Sequence, residues 1–262
     1  MRRRIPRWVA AAAAAVYVFL HAPLVTLIVF SFNDSKFSVG WAGFTLEWYR
    51  RLLDRDDILQ GLARSLAVGL AATVISAVLG TGLALALARH RFPGRRTVEG
   101  LLYLPLVTPE VIMGISLLSF FAATSVPLGL ATITIAHVAF CVSFVTVVVG
   151  ARLRGMDGHL EEAALILGAD EWSAFWKVTV PQLAPGIVAG SLLAFTMSFD
   201  DYVITSFVAG SGSSTLPVVV YGMVRRNIEP SINAVSAIVV ALTAILLYLA
   251  DRLRTDHPLA AR

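Results

Sequence analysis

Long apolar stretches separated by short polar segments dominate this chain. A helix needs about 20 mostly apolar residues to cross a bilayer, because in hydrocarbon its backbone polar groups must bond within the helix itself. Six stretches approach that length, and they predict an all-α, polytopic membrane protein with six transmembrane helices. These stretches are Val9–Phe32, Leu62–Ala88, Val98–Ala123, Val126–Ala151, Leu183–Val208 and Asn233–Ala250.

The first stretch also resembles a signal peptide, because four arginines within the first seven residues precede an alanine-rich run. The apolar region of a signal peptide is only about 7–15 residues long. Since this run continues to Phe32, we predict an uncleaved first span.

Composition supports a membrane protein. Hydrophobic residues make up 57% of the 262 residues and charged residues 15%, whereas about 25% of a soluble domain is charged. This balance excludes an ordinary soluble enzyme, a nucleic-acid-binding protein and a disordered chain. The single cysteine, Cys141, permits no internal disulfide.

The positions of the positive charges predict the orientation, since Lys and Arg concentrate in cytoplasmic loops. With both termini cytoplasmic, about 14 of the 21 Lys and Arg residues lie inside and about 7 outside. Asn33–Gly61 and Ala209–Ile232 are then outer loops, and Arg152–Gln182 is cytoplasmic. The amphipathic segment Leu46–Leu62 is expected on the membrane surface. No fixed-period repeat is visible, so residues 1–262 are interpreted as a single transmembrane domain.

The cytoplasmic loop, residues 152–182, predicts two short helices. Asp157 is a suitable N-cap for the first, and Gly168 is a suitable end. Asp170 can cap the second, which Pro181 is expected to end.

One face of the first loop helix consists of small and apolar side chains at helical spacing: Leu160, Ala163, Ala164 and Leu167. Two interpretations of this face remain open from the residues alone. It packs on neighbouring membrane helices, or it fits a groove of another protein.

The loop resembles the EAA loop of ABC importer permeases. The matching residues are Glu162-Ala163-Ala164, Gly168-Ala169, Phe175, Val180-Pro181 and Pro185-Gly186. In that family the loop forms the coupling helix, which docks in a cleft of the ATPase subunit. The resemblance therefore implies a type I importer permease fold and an ATPase contact that involves Glu161, Glu162, Ala163, Ala164, Gly168 and Ala169.

The chain lacks the G-x-x-x-x-G-K-[ST] loop that cradles nucleotide phosphates. Energy must then come from another chain, so we expect a transport subunit that is not itself an enzyme and holds no cofactor. ATP and Mg²⁺ are expected on the partner ATPase dimer. The resemblance further implies a second, homologous permease subunit and an extracytoplasmic binding protein, with lipid around the spans and no nucleic acid.

Three carboxylates interrupt the apolar stretches, namely Glu110, Asp200 and Asp201, and no Lys or Arg lies in the interior of either span. Acidic residues inside a membrane are costly and therefore functional candidates. They favour a path for a cationic substrate, to which the aromatic rings of Phe199 and Tyr202 add cation–π contacts.

Each acid also has a simpler interpretation. Glu110 caps a helix that restarts after Pro109. Asp200 and Asp201 lie about 100° apart on a helix, so one of them bonds the backbone or a partner subunit instead of facing a pore. His137 is interpreted as a hydrogen-bonded core residue in preference to a pathway residue.

Several segments resemble the second permease subunit of spermidine/putrescine importers. They are Phe32-Asn33-Asp34-Ser35, Trp48-Tyr49, residues 105–118, residues 199–208, Ser214-Thr215-Leu216-Pro217 and residues 230–234. The resemblance implies an ATP-driven polyamine importer of the bacterial inner membrane that works by alternating access. The alternatives are a permease for another solute, such as an opine, a sulfonate or ferric iron, and an ion-coupled secondary transporter.

Overall fold

The computed structural model describes residues 6–35, 40–226 and 230–255. All named secondary-structure elements in these ranges are helices, which confirms the all-α prediction. They are α1 (Arg7–Phe30), α2 (Glu47–Leu53), α3 (Asp56–Arg89), α4 (Arg95–Val107), α5 (Glu110–Ala123), α6 (Leu130–Arg154), α7 (His159–Ile166), α8 (Glu171–Ala174), a π-helical turn (Phe175–Thr179), α9 (Val180–Asp200), α10 (Val203–Val208), α11 (Leu216–Arg226) and α12 (Ser231–Thr255).

Four helical segments within the described residues are long and apolar enough to cross a membrane. They are Arg7–Phe30, Asp56–Arg89, Leu130–Arg154 and the continuous run Glu171–Asp200. The predicted third span is instead a pair of helices, α4 and α5, which meet at an angle of 114°. The predicted sixth span falls on α12. The count of six spans and the cytoplasmic position of both termini stay predictions.

The third span bends because of its prolines. Thr108 and Pro109 both have extended backbones, and the next helix starts at Glu110. The residue before a proline is driven out of the α region, and proline has no N–H to continue the helical bonds. Glu110 consequently lies in the first turn of α5, where a negative charge is favourable.

The chain forms two compact units. One comprises Met1–Leu59 with Val220–Ile245, and the other comprises Gln60–Val219 with Leu246–Arg262. The interpretation of residues 1–262 as one transmembrane domain stays a prediction.

In the first unit, α2 is anchored by Trp48, which is 6% exposed and donates its indole N–H to the Asn33 carbonyl oxygen at 2.7 Å. The predicted amphipathic segment Leu46–Leu62 is not continuous, since α2 ends at Leu53 and α3 begins at Asp56. Two acids open α3 and suit the positive end of its dipole, which explains the new start.

In the second unit, α6 packs closely between α3 and α9. A Cβ added at Gly80 of α3 would lie 2.7 Å from Cβ of Val145, and one at Gly190 of α9 would lie 3.4 Å from the Val145 Cα. Val145 is fully buried. Small residues let membrane helices approach each other in this way, and they fix α9 against α6 along the length that leads to the acidic residues.

The prediction that Pro181 ends a loop helix is wrong. α8 continues through the π-helical turn into α9, and Pro181 lies in the first turn of α9. In the π-helical turn the Val180 N–H bonds to the Phe175 carbonyl oxygen. Pro181 has no N–H to donate to the carbonyl oxygen four residues earlier, so the wider turn accommodates it without ending the helix.

Candidate functional site

The acidic pair Asp200-Asp201 stands where the chain breaks between α9 and α10. Asp200 is the last residue of α9, and Asp201 has an extended backbone. The Asp201 carboxylate accepts hydrogen bonds from the Thr205 N–H at 2.7 Å, the Thr205 hydroxyl at 2.7 Å and the Ile204 N–H at 3.3 Å. These donors would otherwise be unpaired at the start of a helix. Asp201 therefore caps α10.

A buried histidine completes this arrangement. His137 of α6 is fully buried, with its Nδ1 2.6 Å from the Ser198 hydroxyl and its Nε2 3.2 Å from an Asp201 carboxylate oxygen and 3.0 Å from the Thr205 hydroxyl. One tautomer satisfies these contacts, with Nε2–H donating and Nδ1 accepting from Ser198. The structure thus supports the interpretation of His137 as a bonded core residue.

The neighbouring acid is in a different environment. Asp200 is exposed, and with Glu110 it lines a cavity of about 510 Å³ beside the two helix breaks. Within the described part of the chain, neither of these carboxylates has a hydrogen-bond or ion-pair partner. Asp201 and Tyr202 also line the cavity. Two unpartnered carboxylates in a concave site can hold a cation, because each lacks a compensating charge of its own.

The aromatic lining differs in part from the sequence expectation. Phe199 is 5% exposed, stacks on Phe195 with ring centroids 5.6 Å apart and does not line the cavity. Phe140 and Phe144 of α6 line it instead. Their spacing of four residues marks one helix face, but the sequence alone did not indicate which partner that face meets.

The loop at residues 152–182 forms the predicted first helix, α7. Asp157 accepts a hydrogen bond from the His159 N–H at 3.0 Å, although Gly158 is the residue at the cap. Gly168 has φ +92°, and the Ala169 N–H bonds to the Ala164 carbonyl oxygen at 3.0 Å. A left-handed glycine with this bond is the Schellman ending. Gly168 therefore ends α7 as predicted, and Asp170 is the N-cap of α8.

The adjacent acids of α7, Glu161 and Glu162, have different surroundings. Glu161 forms two hydrogen bonds with the Arg89 guanidinium and accepts one from the Thr179 hydroxyl at 2.6 Å. Glu162 is 72% exposed, and its carboxylate lies 3.4 Å from Nδ1 of the His159 ring. Burial alone would raise the pKa of Glu161, but the hydrogen bonds from Thr179 and Arg89 and the Arg89 charge lower it below its ordinary value.

The face predicted to meet a groove is not covered by the rest of the described chain. Leu160 is 50% exposed and Leu167 is 87% exposed, and the adjacent Ile166 is 86% exposed. Ala163, Gly168 and the half-buried Ala164 and Ala169 complete this surface. Large apolar side chains left in the open outside a membrane span are typical of a protein contact.

Comparisons with known proteins agree with these features. A family model described as "Binding-protein-dependent transport system inner membrane component" matches residues 77–255. The chain is 37% identical over 242 residues to the spermidine/putrescine transport system permease protein PotC of Escherichia coli strain K12, with 92% of each chain covered. It is 41% identical over 241 residues to the putrescine transport system permease protein PotI of the same strain, with 89% of this chain and 86% of PotI covered.

The fold is similar to that of a solved transporter. A chain from the crystal structure of a bacterial ABC transporter involved in the import of the acidic polysaccharide alginate superposes with a TM-score of 0.73. It is 13% identical, with 96% of each chain covered. At this identity the similarity concerns the fold alone.

Proposed function

The chain belongs to the family of binding-protein-dependent transport system inner membrane components, and on this basis we propose that it is a transmembrane subunit of an ATP-driven polyamine importer. It is a membrane transport subunit, and both relatives described above are likewise transport permeases. Their names include spermidine and putrescine, which are polycations at neutral pH. The expectations of a permease and of an inner-membrane location are therefore confirmed.

The observation that supports a cationic substrate most directly is the cavity with Glu110 and Asp200. A polyamine loses hydration when it enters a membrane, and unpartnered carboxylates compensate for that loss. Phe140, Phe144 and Tyr202 offer ring faces to an ammonium group. Asp201 also lines the cavity, but its carboxylate is bonded to Thr205 and Ile204, so its proposed part in the path is to hold the helix break that presents Asp200.

The proposed cycle is alternating access. An extracytoplasmic binding protein delivers the polyamine to the outer side. ATP and Mg²⁺ bind to a separate ATPase dimer, which docks on α7 through Glu162, Ala163, Ala164, Gly168, Ala169 and the exposed apolar residues beside them. This chain and a homologous second permease then move about the acidic cavity, so that it opens to the cytoplasm.

The other candidate substrates fit the cavity less well. A sulfonate is an anion and would be repelled by Glu110 and Asp200. A ferric ion in transit would be expected to meet a cluster of donors, and the described residues contain no group of three or more His, Cys, Asp or Glu side chains able to hold a metal. A secondary transporter would need no ATPase contact. Membership of this family disfavours the secondary transporter.

Reconstituted transport tests the proposal. The complete complex in proteoliposomes is expected to take up labelled putrescine or spermidine when ATP and liganded binding protein are supplied. The double variant Glu110→Gln/Asp200→Asn is expected to lower the uptake rate at least about tenfold, a loss of ~1.4 kcal/mol, while the ATPase stays bound. Glu99→Gln, which removes a cytoplasmic acid outside this cavity, is the control. Unchanged uptake by the double variant would contradict the acidic path.

A further inference from the structure

The coupling helix α7 touches the membrane helices through very few groups. None of its residues is buried, and a cavity of about 860 Å³ lies between it and the ends of α3, α4 and α6. Across the described residues, every side-chain hydrogen bond or ion pair between α7 and another helix uses Glu161. The polar side-chain link between α7 and the spans therefore runs through one carboxylate.

The three side chains of this link form a closed ring. Arg89 donates to both Glu161 oxygens, Thr179 donates to one of them, and Arg89 also donates to the Thr179 hydroxyl at 3.3 Å. Thr179 is fully buried. The Glu161 side chain is 28% exposed, so the ring is partly withdrawn from water and is weakened less by screening than a surface pair.

The two anchors lie at mechanically informative positions. Arg89 is the last residue of α3, and Thr179 is the last residue of the π-helical turn before α9. α9 has 21 residues and ends at Asp200, so it is about 32 Å long. One packed helix thus joins Thr179 to Asp200, which lines the acidic cavity. A displacement of Thr179 would be transmitted along this helix.

The π-helical turn gives this junction a second possible arrangement. Such turns occur mostly as single bulges within α-helices, frequently at functional sites, and they hold one residue more than an α-turn. Removing one residue from the turn would rotate α9 by about 100° relative to α8. Thr179 lies at the end of this turn, where Glu161 holds its hydroxyl.

We propose that Glu161 is a positioning residue that transmits movement of the coupling helix to α9 and α3 through Thr179 and Arg89, while Glu162 and the apolar side chains beside it meet the ATPase. This inference rests on the proposed function and deepens it, since it separates the residue that conveys the movement from those that form the contact. The lowered pKa of Glu161 is consistent with a permanently charged link.

The test uses the complete complex in proteoliposomes. The readouts are the ATPase retained after purification, basal ATP hydrolysis, the ratio of hydrolysis with liganded binding protein to basal hydrolysis, and uptake. Glu161→Ala and Arg89→Ala are expected to retain the ATPase and basal hydrolysis but to lower the stimulation ratio about fivefold or more. The matched control is Glu99→Ala, which removes the 2.9 Å ion pair to Arg95 within α4, a pair of similar exposure that joins no two helices.

Three further variants distinguish the proposed link from simple misfolding. The exchange Arg89→Glu/Glu161→Arg restores the ion pair and is expected to recover part of the lost stimulation. Thr179→Ser keeps the hydroxyl and is expected to behave like the wild type, whereas Thr179→Val is expected to resemble Glu161→Ala. A structural defect alone would lower ATPase retention and basal hydrolysis together with the stimulation ratio.

Two results would overturn the proposal. One is wild-type stimulation in Glu161→Ala. The other is loss of the bound ATPase in Glu161→Ala but not in Arg89→Ala, which would make Glu161 a direct ATPase contact. Failure of the proposed polyamine function appears elsewhere, as absent polyamine uptake in the wild-type complex.

Discussion

Two pairs of adjacent acids, Glu161-Glu162 in α7 and Asp200-Asp201 at the break after α9, repeat one arrangement. In each pair one carboxylate is bonded to other elements of the fold, and its neighbour is exposed. Glu161 and Asp201 each accept at least three hydrogen bonds. The side chains of Glu161 and Glu162 diverge by about 100° because both are helical, whereas Asp201 lies beyond the end of α9 with an extended backbone. The bonded acid supports the structure, and the exposed acid is the one available to a partner or substrate.

The largest expected effect is on the inner acid of the membrane pair. Asp201→Ala removes the cap of α10, which costs about 0.5–2 kcal/mol, and it takes an acceptor from the buried His137 ring and the Thr205 N–H, where an unsatisfied buried donor costs about 1–3 kcal/mol. We expect a strongly lowered melting temperature of the purified complex. Asp200→Ala is the matched control and should melt like the wild type. Equal melting of the two variants would remove the distinction between the acids.

A somewhat smaller effect is expected from the outer acid of the loop pair. Glu162→Arg places a positive charge on the exposed surface of α7 that we propose as the ATPase contact, and we expect the affinity for the ATPase to fall at least about tenfold, or ~1.4 kcal/mol of binding free energy. Binding of the ATPase to the permease pair in nanodiscs measures this. Full ATPase affinity in Glu162→Arg would show that the exposed acid is not at the contact.

The histidine beside Asp201 is expected to have an intermediate effect on stability. His137→Phe removes a ring that bonds Ser198, Asp201 and Thr205, and an unsatisfied buried polar group costs about 1–3 kcal/mol. The melting temperature of His137→Phe should therefore lie between those of the wild type and Asp201→Ala. Uptake per folded complex should change little, because His137 does not line the cavity. A transport defect without a stability defect would make His137 a pathway residue.

The smallest expected effect is the pH dependence of the stability that Glu161, the inner acid of the loop pair, contributes. The Glu161 pKa is lowered in the folded protein, so its contribution to stability is present above the ordinary glutamate pKa of about 4.3 and is lost as pH falls through the folded value. The stability difference between wild type and Glu161→Gln should hold from pH 7 to about 5 and narrow below that. A difference that vanishes between pH 7 and 6 would contradict the bonded state of Glu161.

The sequence predicted the parts of this protein that depend on local rules. Apolar length located α1, α3 and α6, and the left-handed position of Gly168 follows from the need of a helix end for a residue without a side chain. The restart at Glu110 followed from Pro109. Each of these features depends on residues within a few positions of one another.

What the sequence could not predict depends on contacts between distant segments. The inner acid, Asp201, also contacts His137, which lies 64 positions away along the chain. The partner of Glu161 is Arg89, 72 positions away. Pro181 was expected to end a helix, but the π-helical turn absorbs it. The spacing of four between Asp201 and Thr205 is a local capping signal that could have identified the inner acid.

The most direct test of the central claim compares uptake by Asp200→Asn and Asp201→Asn in proteoliposomes, at saturating liganded binding protein and per folded, ATPase-bound complex. We predict that Asp200→Asn lowers the uptake rate at least about tenfold with an unchanged melting temperature. We predict that Asp201→Asn mainly lowers the melting temperature. Its uptake rate per folded complex should fall much less than that of Asp200→Asn. Wild-type uptake by Asp200→Asn, with lost uptake and unchanged melting in Asp201→Asn, would contradict the account.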